Sequence, residues 1–411
     1  RAAIVVLMLL PLVYGALYLW AYWDPFGHVN RMPVALVNSD RGAVVAGEQV
    51  NVGADIAQSL TDDASMDWQV VDEDEARHGV QHGKYYFMLE LPPDFSEAIA
   101  SPLTDQPKQA DLIAVYNDAN NYISSSIGAT ATDQVLNAVS TRIAGQAVNQ
   151  VLSVVVTSGA GIKEAADGAR QLADGARQVP TWTTQQKEAI ADTIGGPVNL
   201  QTSHENAAPN FGTGMAPFFV TLALFFGALV LWMVLRPLQT RAVAAEVTAI
   251  RVALSSYLPA AVLGLGQVVI LYCVVRFALG MHAAHPVGML AFMVLVAAAF
   301  VAATQAINAL VGPAVGRVLL MALLMLQLVS AGGMYPVETT SSPFRAVHRF
   351  DPMTFGVNGL RQLILGGIDE RLWQAVIVLI GMLALGLAVT SLSARRNRLW
   401  NLARLIPAIK I

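Results

Sequence analysis

Charge is scarce in this sequence, and the scarcity is local. Asp, Glu, Lys and Arg make up 13% of the 411 residues against a hydrophobic share of 55%, where a soluble domain carries roughly one-quarter charged residues. Between Arg251 and Glu338 the only formal charges are Arg276 and Arg317, which excludes a water-soluble fold for that stretch. Cysteine is nearly absent as well. Cys273 stands alone inside an apolar run, so no intramolecular disulfide can form, and a lone Cys in such a run reads as a small buried hydrophobe. Catalytic motifs are missing too. No GxxxxGK[ST] loop occurs, and Gly83-Lys84 leads into a strand rather than a helix, so the chain has no ATP site of its own. There is no HExxH, and the pair His78 and His82 has no third ligand nearby. No motif pairs a nucleophile with a base. The chain is therefore not expected to be an enzyme, to hold a cofactor or metal, or to bind nucleic acid.

What is present is a set of membrane-length apolar runs. A helix needs about 20 apolar residues to cross a bilayer core, and six runs meet that length: Ala2–Trp23, Met215–Leu235, Val252–Leu279, Pro286–Leu310, Val318–Tyr335 and Leu372–Leu392. The first ends in Leu19-Trp20-Ala21-Tyr22-Trp23, aromatic where a signal-peptide cleavage site needs small residues, and reads as a retained anchor. With the N-terminus inside, Arg236, Arg241 and Arg251 share one cytoplasmic loop, Arg317 lies at a second, and Arg395, Arg396, Arg398, Arg404 and Lys410 fill a basic cytoplasmic tail. The positive-inside rule is then met. The far side receives Asp24–Asn210, with 24 Asp and Glu against 10 Lys and Arg. Both termini are expected in the cytoplasm and residues 24–210 outside the cell membrane. The acidic side chains stay out of the spans, which disfavours a proton- or cation-coupled carrier.

The polar region alternates strand and helix signals. Strands are expected at Pro33–Val37, Trp68–Val71, Tyr85–Leu91 and Leu112–Tyr116. Helices are expected at Ala54–Leu60, at Asp72–His82 with its acidic start, and after Asp94 as a cap. This is a small α/β layer over residues 24–119. From Asn120 the chain turns Ala-, Ser- and Val-rich, and Asp167-Gly168-Ala169-Arg170-Gln171 returns seven residues later as Asp174-Gly175-Ala176-Arg177-Gln178. Seven is the coiled-coil period, so residues 120–210 read as a helical, coiled-coil-like extension and its return.

Three segments carry a family resemblance: Met32–Gly42 (MPVALVNSDRG), Gly83–Ser96 (GKYYFMLELPPDFS) and Val115–Ile127 (VYNDANNYISSSI). In that order, after one span and before five more, they resemble the phage infection protein (YhgE/Pip) family, which is similar to the permeases of ABC type-two exporters. The resemblance implies a membrane subunit that forms a homodimer and borrows a separate cytoplasmic ABC ATPase, which would carry the ATP and magnesium. Relatives also imply a possible phage, secretion or envelope partner for the outer domain. Members carry a longer helical array than this chain does.

The expected fold is an α-helical polytopic membrane protein of six spans, with an extracytoplasmic α/β domain and a helical extension between spans 1 and 2. Span 1 covers residues 1–23, the five-span membrane domain 211–394 and the tail 395–411. Within the loop at 236–251, Arg236, Arg241, Glu246 and Arg251 read as an amphipathic element, and by resemblance this is where a coupling helix would meet the ATPase; the plainer reading is a set of loop-holding basic residues. The outer segment 336–370 is broken by Pro336, Pro343 and Pro352. By resemblance it would be re-entrant and form an outer gate, with Pro336, Glu338, Pro352 and Arg361 as candidates; a surface-lying amphipathic element is the alternative. Gln267, Gln305, Asn308 and Gln327 are polar within the spans and read either as helix glue or as pathway lining. The function that follows is outward movement of an amphiphilic or cell-envelope substrate, with an envelope scaffold or receptor anchored in lipid as the rival.

Overall fold

The structure, a computed structural model, describes residues 24–45, 48–63, 65–101, 107–141, 195–239 and 247–397, with isolated positions at 143, 185, 188, 191 and 193. Span 1, the heptad-like repeat at 167–178, Arg241, Glu246 and the end of the tail lie outside the described residues. Two compact units emerge, one of residues 30–117 and 124–205, the other of 1–29, 118–123 and 206–411.

The first unit is built on a five-stranded mixed sheet. Its elements are β1 (Pro33–Asn38), the hairpin β2 (Ala43–Val45) and β3 (Glu48–Val50), α1 (Val52–Asp63), β4 (Asp67–Val70), α2 (Glu73–Gln81), β5 (Phe87–Leu91), α3 (Phe95–Ala100), β6 (Ala110–Asn117), a helix α4 over residues 122–141, and β7 (Val198–Glu205). The strand order is β4-β1-β5-β6-β7. β1 pairs in parallel with β4 and β5, β5 antiparallel with β6, and β6 in parallel with β7. Val34 to Val37 are all buried and so is every residue of β5, as a near-continuous apolar run requires when both faces of a strand are covered. Asp72 caps α2 through the Glu75 amide at 2.7 Å, and three acidic residues fill the first turn, where they complement the helix dipole. Asp94 departs from its expected role. It sits at the start of α3 without a capping hydrogen bond, its carboxylate paired instead with Lys108 Nζ.

β7 falls where only a return segment was expected. It pairs with β6 over eight register positions, from Ala110↔Val198 to Asn117↔Glu205, yet most of its side chains are exposed. A sheet-edge strand with little apolar surface to bury leaves no period-two pattern to read. Residues 122–141 are helical, as expected, and Tyr116 Oη meets Thr132 Oγ1 at 2.8 Å to hold that helix on the sheet.

The second unit contains α5 (Phe211–Val234), α6 (Ala249–Cys273) continued by a π-helical turn at Val274–Ala278, α7 (Pro286–Val311), α8 (Pro313–Ser330), α9 (Ser342–His348), α10 (Pro352–Leu365) and α11 (Glu370–Asn397). Five of these, α5, α6, α7, α8 and α11, are long and apolar enough to cross a membrane. Helices are the form that satisfies every backbone group inside hydrocarbon, and the chain is a polytopic membrane protein with an α/β region. The expected fifth run begins earlier than its apolar core suggested. Gly312 turns at φ 85° and Pro313 opens α8 at its first position, the arrangement Gly and Pro favour at successive helix ends. Cys273 corrects its sequence reading: it is exposed on the surface of α6 rather than buried.

α10 is the element that no run of 20 apolar residues announced. Eleven of its 14 residues are buried, and it packs among the long helices. A Cβ at Gly359 would lie 2.2 Å from the Phe292 ring of α7, and one at Gly356 would lie 2.6 Å from Thr221 of α5. Two glycines one turn apart let the backbone approach to that depth.

Candidate functional site

Two ends of the membrane unit gather the polar chemistry. At the first, α5 stops at Val234 and its last carbonyls need partners. Arg317, from the start of α8, donates Nη2 to Met233 O at 3.1 Å. Arg236 follows, exposed. Pro237 O then accepts Gln305 Nε2 at 3.0 Å, and the same nitrogen reaches Ala253 O in α6 at 3.2 Å. Gln239 donates its backbone N to Ser256 Oγ at 3.0 Å and its side chain to Ser255 O at 3.0 Å. Leu238 and Val247 pack with Ala249, Val252 and Ala394, so both flanks of the loop lie against the end of α11. Arg251 is exposed in the first turn of α6. Of the four loop residues singled out in the sequence, Arg236 and Arg251 thus stand at the two ends of one anchored loop.

At the other end, α8 gives way to a turn at Gly332-Gly333, a 3-10 turn at Val337–Thr339, α9 and α10. Asp351 caps α10, accepting from Met353 N at 2.9 Å and Ser330 Oγ at 2.8 Å. His348 Nδ1 lies 2.6 Å from Ser330 O. Burial pushes the Asp351 carboxyl up to about 7 against the pull of those two donors, and pushes the His348 imidazole down. Arg361, 6% exposed, donates Nη2 to Gly332 O at 2.8 Å and Gly333 O at 3.1 Å. Asn121 Nδ2 joins the same Gly332 carbonyl at 3.1 Å. Arg371 Nη1 reaches Asn120 Oδ1 at 2.9 Å while its Nε pairs with Asp369 Oδ2 at 2.7 Å. Ala208 N donates to Asp118 Oδ2 at 2.8 Å. Among the outer-segment candidates, Pro336 and Glu338 sit at the 3-10 turn, Pro352 is the first residue of α10, and Arg361 reaches back to the turn just before Pro336.

The four polar span residues do not converge. Gln305 and Asn308 share the Pro237 end of α7, Gln267 packs beside Gly227 on α6, and Gln327 lies in the last turn of α8. Gln305 Nε2 is committed to backbone carbonyls, and Asn308 Nδ2 bonds Thr304 O at 2.9 Å. The Gln327 amide is buried and meets no hydrogen-bond partner among the described residues.

Sequence reasoning passed over Asp118, Asn120, Asn121, Asp351 and Arg371 as individual groups. Asp351-Pro352 did carry a signal, an N-cap residue followed by Pro at the first helical position. Asn120 and Asn121 sit inside the third family segment without any periodicity to assign them a partner. In the α/β unit, Asp40 was read as part of a turn. It is a hub: its carboxylate accepts from Gly53 N at 3.0 Å, Ser96 N at 2.9 Å and Ser96 Oγ. That places the chain's own carboxylate between the ends of β1 and β5, the switch point where open α/β sheets take ligands. It also joins two of the three family segments.

A family model described as ABC-2 family transporter protein matches residues 1–392. The uncharacterized protein YhgE of Bacillus subtilis strain 168 is 36% identical over 137 residues, which is 33% of this chain and 18% of that protein's length. A crystal structure of a domain assigned to an ABC type-2 transporter from Thermotoga maritima MSB8 covers 43% of this chain and 93% of its own, at 13% identity and a TM-score of 0.27. The YhgE/Pip-like character read from the three segments stands, and the chain belongs to the ABC-2 family of transporter proteins.

Proposed function

We propose that this chain is the membrane subunit of an ATP-driven exporter, working as a homodimer with a separate ABC ATPase that grips the 236–251 loop from the cytoplasm. Its substrate is an amphiphilic or cell-envelope molecule, moved outward. The observation that carries the reading is the loop itself, a short connection bearing Arg236 and Arg251 at flanks that are hydrogen-bonded into α6 and α7. A loop anchored that way passes a push from a partner to the spans instead of absorbing it. On this reading α10 and the turn around Pro336, Glu338, Pro352 and Arg361 form the gate at the far end, since a helix buried among spans must shift for a path to open. Gln327 lines that path. An unpaired amide is costly in an apolar interior, and a passing polar headgroup would supply its partner.

The test is copurification followed by reconstitution. A tagged chain should bring down an ATP-hydrolysing subunit, and the double substitution Arg236→Glu and Arg241→Glu should reduce the recovered ATPase about tenfold, the loss of one to two exposed charge contacts with repulsion added. ATP should drive substrate release from the reconstituted pair. Recovery of the ATPase unchanged by the double substitution, or no ATPase at all, contradicts the proposal.

A further inference from the structure

α7 carries a line of hydrogen bonds that neither its composition nor its hydropathy reveals. Tyr257 Oη of α6 donates to Ala298 O at 3.1 Å, and Trp232 Nε1 of α5 donates to Val301 O at 3.0 Å. Four residues further along, Gln305 Nε2 donates to Pro237 O and Ala253 O. Positions 298, 301 and 305 are spaced by three and four, so they share one face of α7. Trp232 and Gln305 are fully buried and Tyr257 nearly so. Along this face α7 is tied by side-chain-to-backbone bonds first to α6, then to α5, and at Gln305 both to α6 and to Pro237 just beyond the end of α5. The two carbonyls that Gln305 takes lie on opposite sides of the 236–251 loop.

We infer that Gln305 is the positioning residue of that loop: Gln239 ties the two flanks to each other, and one Gln305 amide nitrogen, shared between Pro237 O and Ala253 O, couples both to α7. Without it, Pro237 sits past the last helical turn of α5 and the flanks can move independently of α7. The inference rests on the exporter reading for its consequence, because the loop is where the ATPase is proposed to act. The geometry it asserts is separate from that reading. Asn308, one turn beyond on α7, bonds within its own helix and does not share the role.

Amide hydrogen exchange in detergent or nanodiscs tests it on the full chain, comparing wild type with Gln305→Met, which keeps the length and removes the donor. Exchange at residues 236–256 should rise about tenfold, the scale of losing one to two neutral hydrogen bonds. Exchange at 331–365 should not move. Should Gln305→Met fail to fold, Gln305→Asn keeps the amide, shortens its reach, and carries the same expectation. A general rise across both ends marks simple helix glue and overturns the inference, as does unchanged exchange at 236–256. With a reconstituted ATPase, the variant should retain ATPase binding and lose substrate moved per ATP hydrolysed. A loosened loop together with no ATP-driven transport by wild type upholds the positioning role and overturns the exporter reading.

Discussion

The two ends of the membrane unit are held by different chemistry. Around Gly332 the bonds come chiefly from charged groups: Arg361 on two backbone carbonyls, Arg371 on Asn120 and Asp369, and Asp351 on the start of α10, with the neutral Asn121 amide beside them. Around Pro237 they come chiefly from neutral donors, Gln305, Gln239, Trp232 and Tyr257, each on a carbonyl. Hydrogen bonds from charged groups contribute about 1.5–3 kcal/mol, roughly twice the neutral kind. The difference makes the Gly332 end, where Arg361 ties α10 to the turn, the more costly of the two to open, and leaves the Pro237 end with a joint of moderate, distributed strength.

Breaking the stronger end should cost most. Arg361→Met leaves two buried carbonyls with one donor fewer each, and unfolding in detergent should show a loss of about 3 kcal/mol. Asn121→Ala removes the other donor to Gly332 O, and because the two share an acceptor their effects should be non-additive in a double-mutant cycle. Gly359→Leu drives a side chain into the Phe292 ring and should cost about 2 kcal/mol by overpacking α10, read from the same unfolding curves. At the weaker end Tyr257→Phe deletes one neutral bond to Ala298 O and should cost about 1 kcal/mol. A Tyr257→Phe effect equal to that of Arg361→Met would erase the contrast between the ends.

A smaller effect outside the membrane unit calibrates the scale. Glu90 on β5 is 5% exposed, and burial first, then Glu73, raise its carboxyl above the ordinary value, with Arg77 opposing. The unfolded chain therefore gives up this proton at lower pH than the folded one. The stability linked to Glu90 is present below the ordinary carboxylate pKa and is lost as pH rises through the raised folded value. Glu90→Gln should flatten that loss, seen by unfolding both proteins from about pH 4 to about pH 8; a wild-type curve parallel to the variant's would refute it.

Much of this arrangement was legible in the residues. The apolar runs placed α5, α6, α7, α8 and α11 within a few residues, because hydrocarbon imposes a length and excludes charge. β1 and β5 were readable since burial on both faces forces an apolar run. β7 was not, because an edge strand such as Val198–Glu205 mostly faces water and needs no pattern. α10 was expected only through the resemblance, within the re-entrant segment 336–370; no apolar run of span length announces it, and glycines at 356 and 359 let it lie against α5 and α7. The partners of Gln305 and Arg361 are backbone carbonyls, which every residue possesses, so no sequence signal could have named Pro237, Ala253, Gly332 or Gly333.

The proposed function requires that the 236–251 loop be reachable from the cytoplasm, where an ATPase would bind, and that residues 24–210 be reachable from outside. Single cysteines in a Cys273→Ser background, one at Val44→Cys and one at Arg241→Cys, can be exposed to a membrane-impermeant maleimide on intact cells. Val44 is 75% exposed in the α/β unit, so its cysteine should label at once, and that at 241 only after permeabilisation. Labelling of Arg241→Cys from outside intact cells, with Val44→Cys protected, would contradict the account.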